Sequence, residues 1–417
     1  MEESNVLDAG TVWMVTSAAM VLLMTPGLAI FYGGMTRAKS SLNMIMMSFV
    51  SMGLVGVVWV LWVHGMTGGD GWAGVVGNPA GDLGLTGTMA EGGLVAAAYG
   101  ATFAIIAVAL ISGAVADRFK FVTWCVFVPV WTTVVYAPLA YMVWGGGLLS
   151  ADGAIGARLG EALDFAGGLV VHISAGVAAL VLALLLGKRH GFGVDPGHRP
   201  HNVPFTMLGA ALLWFGWFGF NAGSAFGANG TAGLAWVNTT AATAAAMLGW
   251  LLAERIRDGH ATSLGAASGV VAGLVAITPA AGSVHPLGAI ALGAIAGVLS
   301  ALAVGLKHRF GYDDALDVVG VHLVAGLCGT IAIGLFATGT FDTAPGIFYS
   351  GEGWKLLVVQ IVIAVAALVF TAVMTAIAWA ICRPLGWRID KADEQAGIDG
   401  AQHAETAYEP STSALIR

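Results

Sequence analysis

The sequence has 417 residues, 58% of them hydrophobic and only 10% charged, against roughly 25% charged in a soluble domain. Its apolar residues fall in long blocks with the charges between them, which excludes a water-soluble globular chain and points to a bilayer as solvent. The net charge of −7 sits in loops and tail with no basic stripe, which excludes a nucleic-acid-binding surface.

Eleven blocks are long and apolar enough to span a bilayer: about 11–34, 43–64, 94–116, 121–147, 163–187, 204–223, 232–252, 262–281, 286–306, 315–338 and 354–382. Met1 to Gly10 is polar and acidic and lacks the pattern of a cleavable signal peptide. The 61 glycines suit close helix packing in a membrane. Cys125, Cys328 and Cys382 lie in or at the end of apolar blocks, with the spacing of neither a disulfide framework nor a zinc site.

The loops between these blocks alternate in charge. Odd loops carry Arg37 and Lys39, then Arg118 and Lys120, then Lys188, Arg189 and Arg199, then Arg255 and Arg257, then Lys307 and Arg309. Even loops carry mostly acids: Asp70, Asp82 and Glu91, then Asp152 and Glu161 with Arg158, and finally Asp342 and Glu352. Positive charge marks the cytoplasmic side. The N-terminus is therefore expected outside, and the tail from Arg383 inside.

Spans five and ten share the string V-H-x-x-A-G, at Val171 to Gly176 and Val321 to Gly326, each preceded by an Asp, Asp164 and Asp317. Span one ends in Phe31-Tyr32-Gly33-Gly34 and span six in Phe220-Asn221-Ala222-Gly223. An offset of five spans, an odd number, turns the second half upside down. The expected fold is an all-α membrane protein with eleven transmembrane helices: an inverted five-plus-five repeat, about 11–187 and 204–338, and one extra C-terminal helix. Residues 1–382 would form the transport domain and 383–417 a cytoplasmic tail.

Ionisable residues deep in a span are costly and mark function by default. His172 lies about nine residues into span five and His322 about seven into span ten, depths of roughly 13 Å and 10 Å from opposite sides. The two rings can therefore meet near the midplane. They could be bonded to helix carbonyls, could ligate a metal, or could serve a small donor–acceptor molecule or a proton relay. No third ligand shares a helical face with either, so no metal and no cofactor is expected. Asp164, eight residues before His172, would lie about 12 Å up the helix and about 80° round it. It reads as an N-cap, or as a carboxylate at an outer mouth that favours a cation. Asp317 has the capping reading on the inner side. Tyr99, Phe103, Trp144, Trp217, Phe220 and Ser224 cluster at the outer ends of spans, either as an interfacial belt or as a cage for a small cation.

Strings throughout the chain resemble the ammonium transporter (Amt/Rh) family, on its bacterial Amt branch. They are Pro26 to Met35, Asp164 to Gly168 with Val170-Val171-His172, Gly216 to Ala225, and Asp317 to His322. In the tail, Gly397-Ile398-Asp399 with Glu405, Ala407 and Tyr408 resembles the family's C-terminus. The resemblance implies a homotrimer in the cell membrane, each subunit with its own pore for ammonium or ammonia, and methylammonium as a further candidate. It implies that Trp144 and Ser224, with Tyr99 beside them and Asp164 in support, recruit ammonium. Phe103 and Phe220 would close the pore, and His172 and His322 would line it. A PII-type regulatory protein would dock on the tail. Tyr99 stands where close bacterial members carry Phe, and Leu323 and Ala325 stand in place of Gly and Cys. An ammonium sensor would need a large cytoplasmic signalling domain, yet only about 35 residues follow span eleven. An enzyme would need a nucleophile–base pair or an H-E-x-x-H string, and neither occurs.

Overall fold

The computed structural model describes residues 8–194, 199–340 and 343–408. Residues 1–7, Asp342 and the tail beyond Tyr408 lie outside these. Nine helices among the described residues are long and apolar enough to cross a membrane. They are α1 (Ala9–Met35), α2 (Ala38–Met66), α3 (Leu94–Val115), α4 (Phe121–Trp144), α5 (Gly168–Leu186), α6 (Val203–Gly223), α9 (Pro286–Phe310), α10 (Val319–Phe336) and α11 (Trp354–Leu385). Between α6 and α9 run α7 (Gly230–Asp258) and α8 (Ser263–Ile277). These two fall short of the membrane criterion for local reasons. The Thr- and Ala-rich α7 ends in Glu254, Arg255, Arg257 and Asp258. Helix α8 stops at Ile277, just ahead of Pro279, which has no N–H to continue the helical ladder.

Helix starts follow capping chemistry. Asn202 accepts from Phe205 N at α6, Asn229 from Ala232 N at α7, and Thr262 from Gly265 N at α8. The Glu254 carboxylate at the end of α7 accepts from Thr262 N at 3.0 Å, joining α7 to α8. Span five departs from its expected boundary: 163–167 are not helical, and Gly167 takes φ +102°, a region L side chains rarely adopt. Span ten likewise begins at Val319, because Asp317 takes φ +64°.

Small residues set the packing. Helix α1 lies along α6, and a Cβ on Gly209 would come 2.4 Å from Phe31 N. Helix α9 lies along α7, and a Cβ on Gly297 would come 2.1 Å from Ala246 O. Helix α11 is stapled to α10 and to the segment before α5. Gln360 Nε2 donates to Leu163 O and Thr330 O, and its Oε1 accepts from Leu163 N.

Loops of like parity meet. Arg189 pairs with Asp117 (3.0 Å) and Asp313 (2.9 Å), Arg37 reaches Asp117 at 3.6 Å, and Arg118 donates to Asp313 O. The tail folds back on this side as α12 (Lys391–Ala396) and α13 (Ile398–His403). On the other side Leu148 N donates to Gly74 O, Phe165 N to Pro279 O, and Val284 bridges Ala337.

Candidate functional site

Two π-helical turns carry the histidines: Gly168–Ile173 opens α5 and Val319–Leu323 opens α10. Such turns widen the helix locally and often occur at functional sites. The first turn is held by Asp164, whose Oδ2 accepts from Leu169 N and Val170 N, both at 3.0 Å. Asp164 therefore caps α5 from a non-helical segment, and the expected helical offset between it and His172 does not apply. At the start of α10 the expected partner is corrected. Asp314, not Asp317, accepts from Val318 N (3.1 Å) and Val319 N (2.7 Å). Asp317 instead points to Lys307 at 2.6 Å. Asp314 precedes His322 by the same eight residues that separate Asp164 from His172, a signal readable in the sequence.

Each helix also seats the other. A Cβ on Gly176 would come 2.5 Å from Leu323 N, and one on Gly326 would meet Ile173 Cγ1 at 3.1 Å. In both cases the residue after one histidine rests on the glycine four places after the other. This contact brings the rings together, with Nδ1 to Nδ1 at 3.4 Å, centroids 5.4 Å apart and planes 26° from parallel. One Nδ1 must donate while the other accepts, so two neutral rings share a single proton there.

On one side of this pair lies an aromatic column. Trp217 stacks on His172 at 5.3 Å, held by its indole N–H donating to Thr278 Oγ1. Phe103 and Phe220 stack above at 4.1 Å and 10°, both buried. Beyond them a vestibule of about 700 Å³ is lined by Tyr99, Trp144, Asp164, Ser224 and Phe226. Trp144, 41% exposed, donates its indole N–H to Asp164 O at 2.9 Å, which fixes the ring at the mouth. Ser224 Oγ donates to Phe220 O. The Tyr99 hydroxyl faces the end of α6, within 2.9 Å of Gly219 O and 2.8 Å of Phe220 O. Tyr99 thus offers its ring, not a free hydroxyl, to the vestibule. On the side of His322 away from this vestibule a gap of about 10 Å³ lies among Leu28, Phe31, Ile106 and Val271.

The eight sequence-selected residues fall into one column: Trp144, Tyr99, Ser224 and Asp164 at the mouth, Phe103 and Phe220 below, then His172 and His322. Trp217 carried no separate role in the sequence reading, and Thr278 and Phe226 gave no signal there. Among the described residues no three His, Cys, Asp or Glu side chains converge as a metal site.

Many apolar helices around an aromatic vestibule that narrows to two imidazoles define a polytopic membrane protein of transporter architecture. The sequence profile of the Ammonium Transporter Family matches residues 12–408. The ammonium transporter of Mycobacterium tuberculosis H37Rv is 52% identical, over 97% of this chain and 91% of the relative. That of Bacillus subtilis is 45% identical, over 96% and 98%. Among solved structures, Saccharomyces cerevisiae Mep2 superposes with a TM-score of 0.83 at 32% identity, covering 97% of this chain and 92% of that one. A protein described as a sensor Amt protein gives 0.87 at 26% identity, covering 95% and 98%. The chain belongs to the ammonium transporter family.

Proposed function

We propose that this protein carries ammonium across the cell membrane, and that ammonia is the species crossing its narrow lumen. The observation that carries the reading is the unbroken column from Trp144 through the Phe103–Phe220 stack to the His172–His322 pair. Ammonium and potassium are alike in charge and size, so a charged pore would separate them poorly. The Trp144 face and the Ser224 oxygen attract the cation at the mouth. The apolar stack then penalises any ion that keeps its charge, since an unpaired charge in such a medium costs many kcal/mol. Ammonium can give up a proton and potassium cannot. His172 and His322, neutral and sharing one Nδ1 proton, can accept from or donate to ammonia and provide a relay for the proton.

The same reading takes α7 and α8 as crossings, which makes eleven helices with the N-terminus outside and the tail cytoplasmic. Contacts among loops of like parity support it, as does the reciprocal seating of α5 and α10, which fits the inverted repeats of about 11–187 and 204–338. It also includes residues 1–382 as the transport domain, 383–417 as a tail, a homotrimer in the bilayer and a PII-type protein on the cytoplasmic face.

The test is the current evoked by ammonium in proteoliposomes on a solid-supported membrane. The wild type should give current with ammonium and none with potassium. His172→Ala combined with His322→Ala should abolish the ammonium current or admit potassium. If the double variant keeps both properties unchanged, the histidine role is wrong.

A further inference from the structure

The vestibule wall holds a second polar feature that the column does not use. Its imidazole belongs to His64, near the outer end of α2 and directly after a π-helical turn, Trp59–Val63. His64 Nδ1 lies 3.2 Å from Asp82 Oδ2, and its ring meets Trp59 edge-on at 5.5 Å. Asp82 is itself fixed: Oδ1 accepts from Gly87 N (2.8 Å) and Thr88 N (3.3 Å), and Oδ2 from the Thr88 hydroxyl (2.5 Å). The Thr88 hydroxyl foremost, and then these amides, hold the Asp82 carboxyl below its usual range.

An ionised carboxylate only accepts, so the proton of a neutral His64 ring must sit on Nδ1. That leaves Nε2 with a bare lone pair. Among the described residues Nε2 has no hydrogen-bond partner, nor is it sealed from solvent. Both His64 and Trp59 line the same vestibule as Trp144 and Ser224, with Asp152, Glu161 and Asp164 as the acids of that wall. Asp82 thus does for His64 what a carboxylate does behind a metal-bound histidine: it selects the tautomer and stiffens the ring.

We propose that His64 Nε2, oriented by Asp82 and flanked by Trp59, is a second binding station for ammonium in the outer vestibule. The lone pair accepts an N–H of the cation. Potassium has no N–H to give, so the station discriminates before the aromatic constriction is reached. The proposal rests on the ammonium reading, and the test separates the two.

Ammonium-evoked currents are measured against ammonium concentration in proteoliposomes of the full chain. His64→Ala removes the acceptor, and His64→Phe removes it while keeping a ring against Trp59. Both should raise the half-saturating concentration about three- to tenfold, the range for one ordinary net hydrogen bond, with maximal current within about twofold. His64→Gln, which restores an acceptor, should recover much of the loss. Asp82→Asn, which can donate to Nδ1 and so move the ring proton to Nε2, should mimic His64→Ala. A half-saturating concentration unchanged in His64→Phe beside a robust wild-type current overturns the station alone. So does a loss confined to maximal current, which marks a structural role. Absence of wild-type ammonium current overturns the transport reading instead.

Discussion

Asp314 and Asp317 lie three residues apart and have different tasks. Asp314 is buried and satisfies two amides at the start of the His322 helix, while Asp317 is partly exposed and meets Lys307. Replacing Asp314 by Ala strands two buried amides and should cost about 1–3 kcal/mol. Asp317→Ala should cost about 0–1 kcal/mol, as for a pair near solvent. Thermal unfolding in detergent should rank the two variants in that order, and equal losses would sink the assignment of the cap. At the mouth, Trp144→Ala removes a ring that a cation can face, a contact of about 0.5–2 kcal/mol. It should raise the half-saturating ammonium concentration roughly two- to thirtyfold, read from the concentration dependence of the current. The selected ring residues were legible because polar or aromatic side chains stand out in apolar blocks. Thr278 was not, because a threonine in a helix ordinarily bonds its own backbone, and only the approach of Trp217 gives it a second partner.

At the scale of elements, helices α5 and α10 meet through glycines that leave no room for a side chain. Gly176→Val would put its Cβ within 2.5 Å of the Leu323 backbone amide, which cannot give way as a flexible side-chain tip could. The helices must part, and the histidine rings must part with them. The expected outcome is loss of ammonium current together with a lowered unfolding temperature. Wild-type current in Gly176→Val would show that the seating does not position the rings. Leu323 fits here because Gly176 yields the space. Helix existence was readable from hydropathy, since each block is apolar over its own length. Helix ends were less so. Span four stops at Trp144, where Gly145 to Gly147 turn against Gly74 O and Tyr141 O, and α8 stops at Ile277. The first of these ends depends on Gly74, a backbone partner far along the chain, whereas the nearby Pro279 marks the second.

Across the whole molecule, the charged face ties distant loops together. Burial alone would raise the carboxyls of Asp117 and Asp313, but Arg189 with Arg37 and Arg118 outweighs it and holds both below the usual range. A depressed carboxylate contributes stability that is complete above its unfolded value, about 3.9. That stability is lost as pH falls through the folded value. Thermal stability in detergent should therefore hold on the neutral side and drop below about pH 4, with Arg189→Met flattening the acid limb. The tail closes over the same face. Asp399 accepts from Leu42 N and Asn43 N, and Glu394 from His190 N. Asp399→Ala should free α12 and α13, seen as faster tryptic clipping at Lys391 with the helical bundle intact.

The sequence by itself determined the membrane, the alternation of loops, the two intramembrane histidines and the family, because hydropathy, charge and motif are local properties of the chain. Only the tertiary structure decided which aspartate caps the His322 helix, how the rings meet, where Tyr99 sends its hydroxyl and that His64 faces the vestibule. Each of these depends on a partner supplied by a distant segment. A cap, a tautomer or a ring contact exists only where folding brings that donor or acceptor within hydrogen-bond reach.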